Sequence, residues 1–467
     1  MKRIMKFGGT SVANADAIGR AVAIVREHHE NGEKIAVVVS AQSGVTDTII
    51  RMADDLAKAM NRDRILPYIQ SLEEQHLTTL KGVAPDTYEE VATVIRHHLE
   101  TLSNFLHAVY HLRELTPRSR DYISVFGERL SAPIVSAALR HKGVPSVVLD
   151  GCEAGILTTA VHSDAIALPG CADRIKHRVE PLMKDSVPVI MGFMGCTEDG
   201  IITTLGRSGS DYTASIIGNA LDVDEIWIWT DVDGIMTTDP RLVSSARVIP
   251  SISYIEVMEL SYFGAKVMHS RSVEPAMQKN IPIWVKNTFH PHIPGTCIIK
   301  SQHTESRVVK AITYINRVAA INITGASMIG RPGVAKTIFS GLSGADVNVM
   351  MISQGSSEAN ISLIVEESQA QTALNALRTL IDRCMVREIT ANTDVCAVAV
   401  VGAGMTGALG TAGRTFTALG KAGINVMMIS QGSSEVNISF VVSQKDGPEA
   451  VRILHDEFML SEVADES

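Results

Sequence analysis

The stretch NVMMISQGSSEANIS at residues 348–362 returns at 425–439 as NVMMISQGSSEVNIS, changed only at Ala359 and Val436. No local preference for helix or strand makes a chain repeat itself at an offset of 77 residues, so a duplicated structural unit is implied. Gly325 and Gly402, Asn348 and Asn425, and Gln354 and Gln431 keep that offset, which extends the duplication well beyond the shared sentence. Each copy reads as a strand (RVAAINITG in the first, VCAVAVVGAG in the second), a helix, two strands and a second helix. A strand-like run, RVVKAITY (307–314), precedes the first copy, whereas the chain ends soon after the last helix of the second. That run is expected to fill a sheet position that the second copy leaves empty.

The repeat occupies only the last part of a 467-residue chain, long enough for two to four domains at about 150 residues each. At the other end, RIMKF, a glycine turn, a helix over 13–30 with Ile18, Ala21, Ile24 and Val25 on one face, and the apolar run KIAVVVSA give a β-turn-α-β order. A fully apolar strand of that kind belongs in a parallel sheet covered on both faces. Residues 50–118 read as a helical excursion, and strands resume at PSVVLD (145–150), PVIMGFMG (188–195), EIWIWTD (225–231) and IPIWVKN (281–287). The proline- and glycine-bearing segment HPHIPGT (290–296) breaks the pattern. The expected domains are therefore 1–292, 305–390 and 391–467.

A formal charge of -9 supplies no basic field for nucleic acid or an anionic membrane, so neither partner is expected. Apolar runs such as 35–41 and 395–404 are far shorter than the roughly 20 residues that span a bilayer. MKRIMKFGGTSV lacks the apolar core of a secretion signal, which points to the cytoplasm. The six cysteines, at 152, 171, 196, 297, 384 and 396, have no CxxC or metal-like spacing and read as reduced, mostly buried side chains. No protein metal site is expected.

Several motifs follow the strands of the first domain, where parallel sheets bind ligands. In MKFGGTS (5–11), Gly8 and Gly9 would let the backbone approach phosphate oxygens while Lys6 supplies a cation. The lysine precedes the glycines, so this is not a Walker A loop. TTLGRSGSDYTA (203–214) puts Arg207, Ser208, Ser210 and Asp211 at a strand-to-helix turn, suited to an anionic substrate. A plainer reading has Ser210 capping the helix and Asp211 favouring its dipole. TDVDGIMTTDPR (230–241) offers Thr230, Asp231 and Arg241 in a loop, and SVFGERLSAP (124–133) sets Glu128 beside Arg129 at a helix start. VGAGMTG (401–407) imitates a dinucleotide fingerprint, but its duplicate at 325–330 reads GASMIG without the middle glycine, and no such cofactor is expected.

Taken in order, KFGGTS, FGERLS, LGR-x-GSDYTA, WTDV-x-G-x-x-TTDPR and FGAKV-x-H resemble the aspartokinase family over essentially the whole chain. The resemblance implies an α/β amino-acid-kinase fold, a largely parallel sheet sandwiched by helices, followed by two ferredoxin-like βαββαβ ACT domains. It also implies ATP-dependent phosphorylation of the L-aspartate side chain to 4-phospho-L-aspartate, the first step toward lysine, threonine and methionine. Carried over by position, Lys6 would hold the transferring phosphoryl group and Asp211 would organise the lysine. Thr46, Glu128, Arg207 and Ser210 would bind aspartate, Glu128 on the ammonium and Arg207 on the α-carboxylate. Lys6, Gly8, Gly9, Thr230, Asp231, Met236, Arg241 and Lys266 would contact ATP, with Mg2+ carried by the nucleotide. Three positions depart from the family pattern: Ser208 replaces a glycine, Met236 an aromatic residue and Ser270 a proline.

The form ISQGSSE-x-NIS resembles the threonine-responsive members, so Gln354 and Gln431, with Asn360 and Asn437 as secondary candidates, would contact threonine as effector. ACT pairs of this kind imply a homodimer or homotetramer. Because the chain ends at Ser467 without a homoserine-dehydrogenase domain, a monofunctional member is expected. A kinase of glutamate or acetylglutamate fits FGERLS and the tandem tail less well, and a non-catalytic amino-acid sensor need not have kept Lys6 and Asp211.

Overall fold

The computed structural model describes residues 1–58, 61–264, 268–300, 308–355, 359–382 and 385–462. It divides into two units, Met1–Ile235 with Pro250–Tyr254 and Val267–Ser301, and the remainder. Among the described residues the first unit holds ten strands: β1 (Lys2–Phe7), β2 (Lys34–Val39), β3 (Ser146–Leu149), β4 (Val187–Met191), β5 (Met194–Cys196), β6 (Ile202–Thr204), β7 (Glu225–Thr230), β8 (Ser251–Ser253), β9 (Ile283–Asn287) and β10 (Thr296–Ile299). Eight form one sheet in the order β3-β4-β2-β1-β7-β9-β10-β8, while β5 and β6 make a separate hairpin. Every pairing in the large sheet is parallel except β9 with β10.

The central strands β1 and β2 are buried on both faces, which is why their sequences are almost continuously apolar. One face is covered by a core that joins Met5, Phe7, Val37, Val39 and Trp229 to the helices Ala15–Glu30, Phe126–His141 and the excursion of residues 45–112. Asn14 starts the first of these helices by accepting the Ala17 N–H at 3.0 Å, and Asp16 adds favourable charge in its first turn.

Two expectations are corrected. PVIMGFMG is not one strand: β4 ends at Met191, and after Gly192 the backbone turns through Phe193 at φ +69° before the β5–β6 hairpin begins. The proline-rich segment 290–296 does not end the sheet either, because β10 returns to pair with β9 and β8. Neither β5 nor β10 has the length that makes a strand legible in sequence.

The second unit gathers 236–249 and 255–266 together with the duplicated region. The early segments join it through the Ile312 N–H on the Thr237 carbonyl (2.8 Å) and through Val243, which enters the same core as Ile312 and Phe440. Its strands are β11 (Ala311–Thr324), β12 (Met351–Gln354), β13 (Asn360–Glu366), β14 (Glu388–Val401), β15 (Met428–Ser430) and β16 (Asn437–Ser443). They form one antiparallel sheet, β12-β13-β11-β14-β16-β15.

The two long strands serve both copies. Residues 311–315 of β11 pair with 397–401 of β14, and after an irregularity 320–324 pair with 388–392. Ile312 therefore enters the core of the second copy, with Val398 and Phe440, whereas Ile321 and Ile323 enter that of the first, with Leu363 and Val365. The run ahead of the first copy thus supplies a strand to the second. No helix among the described residues is long and apolar enough to cross a membrane.

Candidate active site

Lys6 sits in β1 between β2 and β7, and its ammonium meets Asp211 Oδ1 at 2.6 Å, with both side chains about nine-tenths buried. Such a buried cation persists only with a close counter-charge. Asp211 lies in the first turn of the helix Gly209–Leu221, where the helix dipole also favours a carboxylate. Past Phe7 the chain turns sharply: the Gly8 N–H donates to the Trp229 carbonyl (3.0 Å) and the Ser11 N–H to the Gly8 carbonyl (2.9 Å). A Cβ on Gly9 would stand 3.0 Å from the Ala41 carbonyl oxygen, so the glycine loop and the segment after β2 are tightly apposed.

Glu128 opens the helix Phe126–His141 and is buried. Its Oε1 accepts the Ala41 N–H at 3.1 Å, while Oε2 is buried without a hydrogen-bond partner among the described residues. Burial pushes this carboxyl up to about 8, against the pull of the Ala41 N–H, its own backbone N–H and the Lys6 charge. The helix lies this close to the segment because residue 127 is glycine: a Cβ there would meet Ala41 Cβ at 2.5 Å and Thr46 Oγ1 at 2.7 Å. Thr46, half-buried in the first turn of the helix Val45–Ala57, is thereby set beside the start of the Glu128 helix.

Arg207 is exposed, and among the described residues no carboxylate pairs with it. Ser208, not Ser210, occupies the helix cap, in the left-handed region at φ +50° and without a side-chain capping bond. A glycine there would hold that conformation without steric strain. Ser210 is buried against Gly192, where a Cβ would lie 2.6 Å from the serine Cβ and Oγ. Gly127, Gly192 and Phe193 were missed in the sequence, since each matters through a neighbour remote along the chain.

Thr230 closes β7, its carbonyl accepting the Thr288 N–H (2.9 Å) and its hydroxyl donating to the exposed Asp231 (3.2 Å). Met236 and Arg241 belong to the second unit. There Met236 bridges to Val248, and Arg241, 84% exposed in its side chain, makes paired contacts with Asp239 at 2.9 and 2.5 Å. Lys266 lies outside the described residues. Gln354 ends β12 and Gln431 directly follows β15; both are exposed, as is Asn360 at the start of β13. Asn437, its duplicate, donates its amide to the Glu259 carboxylate, so the copies differ at this position.

The layout is a set of turns at the carboxyl ends of a largely parallel sheet, followed by a duplicated antiparallel module. A profile of the amino acid kinase family matches residues 1–287, and one of the ACT domain matches 321–380 and 398–458. Aspartokinase 3, chloroplastic, of Arabidopsis thaliana is 32% identical over 466 residues, 97% of this chain and 81% of that protein. The bifunctional aspartokinase/homoserine dehydrogenase of Haemophilus influenzae is 33% identical over 97% of this chain but only 56% of its own length. The chain spans about half the length of such bifunctional relatives. Among solved structures, E. coli aspartokinase III in complex with aspartate and ADP superposes with a TM-score of 0.82 at 26% identity, covering 98% of this chain and 100% of that one. The chain belongs to the amino acid kinase family and, within it, to the aspartokinases.

Proposed function

We propose that the protein is an aspartate kinase, transferring the γ-phosphoryl group of ATP to the side-chain carboxylate of L-aspartate to give 4-phospho-L-aspartate and ADP. The observation that carries this reading is Glu128, a buried carboxyl with one oxygen unpartnered, close enough to Lys6 to feel its charge. An α-amino acid brings an ammonium group that would satisfy that oxygen, and the unpaired guanidinium of Arg207 would take the α-carboxylate. The side-chain carboxylate is then left to face the phosphoryl group. The solved complex of E. coli aspartokinase III with aspartate and ADP supports this choice of substrates.

The chemistry asks little of acids and bases, because a carboxylate with a reference pKa of about 3.9 is already ionised at neutral pH. What it needs is two anions held in line against their repulsion. Lys6, held by Asp211, would stabilise the transferring group, and Gly8 and Gly9 would admit the phosphates to the backbone. Thr46 and Ser210 would complete the aspartate site. Thr230, Asp231, Met236, Arg241 and Lys266 would contact the nucleotide. Magnesium carried in on the phosphates would neutralise their charge, and the exposed Asp231 carboxylate suits the waters such an ion retains.

In this reading the enzyme opens the route to lysine, threonine and methionine, and the ACT copies, expected to pair in a homodimer or homotetramer, bind threonine through Gln354, Gln431 and Asn360. Asn437 would first have to leave Glu259. The complex of E. coli aspartokinase III with lysine and aspartate supports control of the family by an amino acid. The test is to incubate the protein with Mg-ATP and L-aspartate, trap the acyl phosphate as hydroxamate, and repeat with threonine, lysine or methionine. Product that threonine suppresses, and that is lost in Lys6→Ala, is expected. Near-normal product from Lys6→Ala would sink the role given to that lysine.

A further inference from the structure

Asp121 lies outside every motif that marks the site, on the helix Pro117–Ser124, and is 1% exposed. Its carboxylate accepts the Thr204 hydroxyl at 2.6 Å, His162 Nδ1 at 2.7 Å, the Ser163 N–H at 2.9 and 3.1 Å, and the Ser163 hydroxyl at 3.3 Å. A buried carboxylate is costly unless its oxygens are filled in this way, and charge-assisted bonds are the strong ones. One side chain thereby ties together a helix, the loop at 162–163 and the end of β6.

Those segments converge on the turn that carries Arg207. Thr204 is the last residue of β6, and its carbonyl accepts the Ala165 N–H at 2.9 Å. At Gly206, φ is +74°, and a Cβ would lie 2.8 Å from Asp164 Oδ1 and 3.2 Å from the Ser163 carbonyl oxygen. Ser163 is itself at φ +67°, a conformation that its N–H and hydroxyl bonds to Asp121 hold in place. Asp164 is itself held by Arg271, at 2.5 and 3.0 Å. The loop 162–165 is thus the wall on which the Gly206–Arg207 turn rests. Arg207 has no ion-pair partner of its own among the described residues, so it is that turn that places its backbone.

We propose that Asp121 is a positioning residue that fixes the loop 162–165 against the Gly206 turn and so presents Arg207 to the α-carboxylate of the amino-acid substrate. This rests on the aspartate-kinase reading above. Asp121→Asn keeps the shape but replaces an acceptor oxygen with an amide that faces donors. The expected result is a KM for L-aspartate raised about tenfold, with the KM for ATP and kcat within about twofold of wild type. Because the effect runs through Arg207, Asp121→Asn should add nothing to the aspartate KM of an Arg207→Ala variant. Thr204→Val, which removes a single bond to Asp121, should raise the same KM by less and serves if Asp121→Asn does not fold. An unchanged aspartate KM, a fall in kcat with both KM values constant, or a fully additive double variant would overturn the proposal. Wild-type protein that makes no acyl phosphate would instead defeat the underlying reading.

Discussion

Glu128 is a buried carboxyl, and its titration should be measurable. Because its folded pKa is raised to about 8 from an ordinary value near 4.5, its contribution to stability is fully present below the lower value and is lost as pH rises through the upper one. Gln in its place cannot ionise and can still accept the Ala41 N–H. Glu128→Gln should therefore melt close to wild type at pH 5 and above it at pH 9, the gap widening by at most about 1.4 kcal/mol per pH unit between the two pKa values. Thermal unfolding of both proteins across that range checks this, and a gap that stays flat would mean that the carboxyl is not held neutral. Lys6, Arg207 and Asp211 could be singled out in the sequence as candidates because glycine spacing and the mixture of charges mark them locally. The burial of Glu128 was not, since its partner Ala41 stands 87 residues away along the chain. Asp121, reaching across 83 residues to Thr204, was invisible for the same reason.

Among the elements, long apolar strands and the duplicated module were readable because periodicity over many residues averages out local exceptions. The three-residue strands β5, β6 and β8 were not, and the break at Gly192–Phe193 depends on a positive φ in a residue that ordinarily avoids it. The strand sharing in β11 was anticipated from the asymmetry of the repeat, and it has a consequence for stability. Ile312 is fully buried in the core of the second copy, although it precedes the first in sequence. Truncation of such a side chain costs about 2–5 kcal/mol. Ile312→Ala should accordingly raise hydrogen exchange in 395–401 and 437–443, while 360–366 keeps its protection. Loss of protection confined to 360–366 would contradict the pairing of 311–315 with 397–401.

For the whole molecule, the question is how an amino acid bound at the duplicated module could change a rate set at Lys6 and Asp211. Covalent continuity offers one answer: the chain leaves the first unit after Ile235, four residues past Asp231, and passes repeatedly between the two units before the repeats begin. In the proposed reading, an effector acts through an equilibrium between two states of the enzyme. An effector shifts such an equilibrium only by its difference in affinity for the two states, and a tenfold difference corresponds to about 1.4 kcal/mol. If Gln354 and Gln431 supply that difference, Gln354→Ala and Gln431→Ala, made singly, should raise the threonine concentration needed for half-inhibition by about tenfold for whichever copy binds, without lowering the uninhibited rate. The exposure of both glutamines means that neither variant removes core packing, so melting temperatures should stay near wild type. Because Asn437 is engaged by Glu259 whereas Asn360 is exposed at the matching position, the two variants are expected to differ in size of effect, with Gln354→Ala the larger. Equal and undiminished threonine response in both would place the effector elsewhere and leave the repeated sentence a requirement of the fold.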